Sequence, residues 1–83
     1  MVYERLRNAK KKIVGTKRAL KAVQKGEAKV VFVARDAEAR VTEPLLRICR
    51  EKGVEVVMVD SMTELGQACA IEVGSASAAV IEE

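Results

Sequence analysis

Eighty-three residues, 49% of them hydrophobic and 2% aromatic, allow one small domain with one core, spanning 1–83, and leave no room for a second. The absence of histidine removes imidazole bases, Ser-His-Asp arrangements and histidine metal ligands, and Cys49 and Cys69, without a C-x-x-C, make no zinc set. The net charge of +3 hides an asymmetry, ten cations against two acids in residues 1–29 and five against ten in residues 30–83, and a cationic end of this kind suits a polyanion.

Val2, Leu6, Ala9 and Ile13 step by four, three and four, which predicts an amphipathic opening helix running into a short apolar piece, Ile13-Val14. Gly15 interrupts, and Thr16 is the expected N-cap of a second helix through about Lys25, ended by Gly26. Leu20 and Val23, flanked by Ala19 and Ala22, supply its apolar stripe. Val30 to Ala34 is apolar without alternation, the pattern of a strand covered on both faces. Thr42 is placed as the cap of a third helix, with Pro44 in its first turn and Gly53 at its end. A second strand is expected over Val54 to Val59, apolar but for Glu55.

Ser61-Met62-Thr63-Glu64 reads as a capping box opening a fourth helix that carries Met62, Leu65 and Cys69 on one side. Ala70 to Ser75 then reads as a loop and Ala78 to Ile81 as the last strand. Alternating helices and strands predict an α/β fold, a three-layer α-β-α sandwich on a mixed, mostly parallel four-stranded sheet. Ile13-Val14 is the edge strand running in the opposite sense. Both cysteines fall in apolar periodic segments, as small core hydrophobes do, and no apolar run approaches the ~20 residues of a membrane span. A reduced, cytoplasmic protein is expected, without metal or cofactor.

Chemistry is sparse. Ser61, Ser75, Ser77, Thr16 and Thr42 have no histidine base, and neither a phosphate-loop nor a dinucleotide-binding glycine pattern is present. The chain therefore reads as a binding module, not an enzyme. Gly15 to Lys21 is the most informative stretch: glycine admits a close ligand, and a helix N-terminus offers unpaired N–H groups and positive potential. Lys17, Lys21 and Lys25 recur at i, i+4 and i+8 with Arg18 beside them, a face either reserved for a polyanion or simply solvated. In the loop from Ala70 to Ser75, Ile71 and Val73 alternate with Glu72. They either plug the sheet edge or project where an unstacked base could rest.

Gly15-Thr16, Ala19 to Val23 and Gly26 together resemble the signature helix of the kink-turn RNA-binding ribosomal-protein family of archaeal and eukaryal large subunits. Leu65 to Ile71, followed by the Ala-Val-Ile strand, resembles its second signature, and Val33 to Ala37 its strand-to-loop step. The resemblance spans nearly the whole chain and is nearest to the bacterial YbxF-type branch. It implies a protein that grips sharply bent RNA with tandem sheared G·A pairs. By position, Gly15, Thr16, Lys17, Arg18 and Lys21 would meet the widened groove beside those pairs, and Ile71, Glu72, Val73 and Gly74 the extruded bases. Asp36 would make a polar loop contact or support the helix start, and Lys25 would position backbone.

One departure stands out. Lys17-Arg18 replaces the Asn-Glu of better-known members, so a carboxylate that accepts from guanine N1 and N2 is absent here. The contact changes to guanine O6/N7 or to phosphate, and binding leans more on charge. The implied partners are structured RNA (ribosomal RNA, a riboswitch or a leader transcript) and the ribosome, met by a monomer away from any membrane. A general ribosomal-RNA binder and a protein-interaction module are the competing readings.

Overall fold

The computed structural model describes residues 3–83, with helices and strands in the order α1 (Glu4–Asn8), β1 (Lys11–Val14), α2 (Thr16–Gln24), β2 (Val30–Ala34), α3 (Ala39–Lys52), β3 (Glu55–Val59), α4 (Met62–Ala68) and β4 (Ser77–Glu82). The four strands form one sheet in the order β1-β4-β2-β3. All five residues of β2 are buried because successive side chains enter opposite cores. Val30, Phe32 and Ala34 pack with Leu6 of α1 and Leu65 of α4. Val31 and Val33 pack with Ala19 and Val23 of α2 and Leu45 of α3. The unbroken apolar run thus reports the predicted three-layer α-β-α sandwich.

The expectation of a mostly parallel sheet needs correction. Only β2 and β3 are parallel, while β4 lies antiparallel to both β1 and β2. The reason lies in α4, which is only seven residues long. Ser75 N donates to the Met62 carbonyl at 3.1 Å, so the chain returns to the end of the sheet it had just left. A strand starting there can only run back against β2. The Ile13-Val14 piece does join as an edge strand, extended to Lys11 and irregular between Lys11 and Lys12, but it pairs only with β4 and so runs in the same direction as β2 and β3. The strand of opposite sense is β4, not the predicted edge strand.

Helix boundaries shift in three places. The opening helix closes after Asn8, with Ala9 already extended, and the Val2 position of its stripe lies outside the described residues. Gly15, not Thr16, occupies the N-cap of α2, and its φ of 109° is a glycine conformation. Helix α3 begins at Ala39, three residues before the expected Thr42 cap, so Thr42 is buried within it and Pro44 sits inside it. Its end is as expected: Gly53 adopts φ 69°, and Val54 N reaches the Cys49 carbonyl at 2.9 Å. The α4 capping box also holds, with Glu64 N donating to Ser61 Oγ at 3.1 Å. Cys49 and Cys69 are both free and buried, and burial pushes both thiols up, as befits core hydrophobes. No described helix is long and apolar enough to cross a membrane.

Candidate nucleic-acid interface

Strands β1, β2 and β3 finish, and β4 begins, at one end of the sheet. Backbone geometry therefore gathers there the segments after Val14, Ala34 and Val59 and the loop before Ser77. Hydrogen bonds lock them together. Gly15 N donates to the Ser77 carbonyl at 3.0 Å, and Thr16 Oγ1 to Ser77 Oγ at 3.0 Å. Ser75 Oγ donates to the same Ser77 carbonyl at 2.7 Å, and Ala34 N to the Ala76 carbonyl at 2.9 Å. Met62 N donates to Asp36 Oδ1 at 2.8 Å, so Asp36 supports a helix start, that of α4. Through Met62, which also accepts from Ser75, the whole set is one bonded frame.

On this frame the candidate residues divide into two groups. The first is the start of α2. No side chain caps it, so the first N–H groups of the helix, next to Lys17 and Arg18, have no side-chain acceptor among the described residues. Lys17, Arg18 and Lys21 are exposed, and none of them makes an ion pair among the described residues. Thr16 is half-buried with its hydroxyl committed to Ser77, which makes it a positioning residue. Lys25 is the exception to this grouping, since it caps the far end of α2, ~13 Å along the axis from Thr16.

The second group is the loop from Ala70 to Ala76. The two readings of its apolar pair prove to be one each. Ile71 is half-buried against the core below α4, whereas Val73 is 71% exposed, the more exposed of two large hydrophobics so described. Glu72 and Gly74 are exposed beside it. The loop is held tightly for a segment without regular structure. A Cβ on Gly66 would run into the Val73 carbonyl, and one on Gly74 would press on Met62 at 3.2 Å. Ala70 turns the chain out of α4 with a positive φ of 62°.

Sequence reasoning missed three participants. Ser77 and Gly66 are framework residues, the first fully buried between α2 and the loop. Their signals were faint: a Ser-x-Ser step before a strand, and a glycine inside a helix. Arg35 is the third. It is exposed immediately after β2 and makes no ion pair among the described residues, which adds a cation at the same end of the sheet. The assembly is an uncapped helix start with three free cations, a fourth cation, and an exposed aliphatic side chain on a braced loop. Such a surface can hold phosphates and cover an unstacked base, and it contains no nucleophile–base pair.

The pattern of residues 2–83 matches the family described as ribosomal protein L7Ae/L30e/S12e/Gadd45. The chain belongs to that family. It is 42% identical over 81 residues to the RNA-binding protein YbxF of Geobacillus stearothermophilus, covering 98% of this chain and 99% of that one. With the large ribosomal subunit protein eL8 of Halobacterium salinarum it shares 46% identity over 68 residues, 81% of this chain and 57% of that protein. Among solved structures, the Giardia lamblia 15.5kD RNA binding protein superposes with a TM-score of 0.89 at 28% identity, over 99% of this chain and 72% of that one. The predicted family and its YbxF-type branch are thereby borne out.

Proposed function

We propose that this chain is a non-enzymatic RNA-binding protein, ribosomal or ribosome-associated, that recognises and stabilises kink-turn-like structured RNA as a monomer in the cytoplasm. The observation that carries the reading is the bonded frame that fixes the uncapped start of α2 and the Val73 loop side by side. Membership of a family whose similar members are named RNA-binding proteins supports it. Lys17, Arg18 and Lys21 act on phosphates and guanine edges beside the G·A pairs, Gly15 lets the backbone approach closely, and Ile71 to Gly74 cover the extruded bases. Asp36 and Thr16 hold these elements in place. Arg35, exposed at the same end of the sheet, adds a backbone contact.

A specific feature favours a second reading, a general ribosomal-RNA binder. Lys17-Arg18 supplies only donors where a carboxylate would read guanine N1 and N2. Titrating the protein at fixed salt into a kink-turn RNA, and into a control whose G·A pairs are replaced by Watson–Crick pairs, separates the two. The first reading predicts at least about tenfold tighter binding to the kink-turn, or ~1.4 kcal/mol. Equal affinity supports the general binder, and no binding to either RNA rejects both.

A further inference from the structure

Helices α2, α3 and α4 end in the same arrangement of backbone bonds. A residue shortly past each helix donates three positions back: Gly26 N to the Val23 carbonyl, Gly53 N to Arg50 and Ala70 N to Gln67. The next residue donates five back: Glu27 N to Ala22, Val54 N to Cys49 and Ile71 N to Gly66. This motif needs a left-handed residue as its pivot. Gly26 and Gly53 supply it at φ 75° and 69°, but the pivot after α4 is Ala70 at φ 62°, the one non-glycine residue of positive φ among the described residues. A methyl group there crowds the following carbonyl oxygen, so the conformation is held against the residue's own preference. Ala70 is exposed, so packing on its own side chain does not hold it there. The bonds and contacts that follow it do. The turn lays Ile71 against the core below α4 and brings the Val73 carbonyl onto Gly66, with the Val73 side chain left exposed.

We propose that Ala70 is a positioning residue for RNA binding: its left-handed backbone, not its methyl group, decides that Ile71 turns inward and Val73 outward. The assignment rests on the RNA-binding reading above and adds to it a residue that need not touch RNA. In an extended conformation Ala70 would carry Ile71 N away from the Gly66 carbonyl, and the chain would leave α4 without passing over Gly66. Val73 would then lose its fixed place on the loop. Replacements at this position should therefore rank by their tolerance of positive φ, not by size or polarity. Glycine and asparagine tolerate it, and β-branched valine does not. Because the side chain meets solvent, each replacement acts through the backbone.

The test titrates a kink-turn RNA with wild type, Ala70→Gly, Ala70→Asn and Ala70→Val, the last also in a Val73→Ser background, each affinity being corrected for the folded fraction. Ala70→Gly and Ala70→Asn should bind within about twofold of wild type. Ala70→Val should bind roughly tenfold more weakly, since only molecules in the left-handed form are competent. In the Val73→Ser background the same substitution should weaken binding by about threefold or less, because the side chain that it misplaces is already gone. A full tenfold loss in that background overturns the assignment, because a general structural defect does not depend on Val73. Ala70→Gly or Ala70→Asn as weak as Ala70→Val overturns it too, as does Ala70→Val binding like wild type. Should Ala70→Val not fold, amide hydrogen exchange decides. The Ile71 amide should exchange several-fold more slowly in Ala70→Asn than in wild type, with the Val54 amide, at the matching place after α3, unchanged. Equal Ile71 exchange in the two proteins overturns the assignment. Failure of the wild type to bind the RNA rejects the RNA reading and this assignment with it, a separate result because every comparison at Ala70 is made against wild type.

Discussion

Ser77 shows how little of a binding surface need touch its ligand. Fully buried, it accepts from Gly15 N and Ser75 Oγ on its carbonyl and from Thr16 on its hydroxyl, so one residue registers the helix start against the loop. Gly66 does the same for the other side of the loop. Gly66→Ala drives a methyl group into the Val73 carbonyl, and overpacking against backbone costs ~1–3 kcal/mol. Urea denaturation of the variant should show that loss. Val73→Ser is its counterpart. It removes an exposed side chain, so stability should stay within ~0.5 kcal/mol, while affinity for the bent RNA falls about tenfold if Val73 covers a base. Equilibrium unfolding and RNA titration of the same variant separate the two effects.

Elements were legible in the sequence where one local signal decided them. The continuous run of β2, the capping box of α4 and the Gly53 stop of α3 each appeared as read, because each depends on neighbours in the chain. What depended on tertiary pairing did not. Thr16 looked like a cap until Ser77 drew its hydroxyl inward, and β4 was read as parallel because the closed excursion from Met62 to Ser75 leaves no mark on periodicity. Of the site, the α2 cations and the loop were readable by residue type, but the split between buried Ile71 and exposed Val73 is set by packing. Helix α3 overrode its own sequence. It runs through Pro44, which lacks the N–H that would reach the Arg40 carbonyl. Pro44→Ala should therefore stabilise the fold by ~2 kcal/mol, an interior proline penalty of ~3 offset by ~0.5–1 of unfolded-chain entropy. A shift of the urea midpoint without a change in slope is the expected result.

For the whole molecule, the distribution of charge matters more than its sum. At the end of the sheet remote from the site, Arg5 is bidentate to Glu83 through Nε and Nη2 and donates from Nη1 to both oxygens of Glu55, and the pairing with Arg5 holds the Glu83 carboxyl below its usual range. Arg5 is neutralised there, whereas Lys17, Arg18, Lys21 and Arg35 have no acidic partner among the described residues. Binding that rests on those cations should be strongly salt-dependent. Lys17→Asn combined with Arg18→Glu removes two of them and restores a carboxylate acceptor. The salt slope should fall by ~1.8, two phosphate contacts at ~0.9 each, while discrimination of G·A pairs over Watson–Crick pairs rises. Stabilising a kink is, in energetic terms, a population shift, which requires tighter binding to the bent RNA than to the extended one. The most direct measurement places fluorophores on the two arms of a kink-turn RNA without divalent cations and follows energy transfer as the protein is added. The account predicts transfer that rises and saturates with binding, whereas saturable binding with unchanged transfer would contradict it.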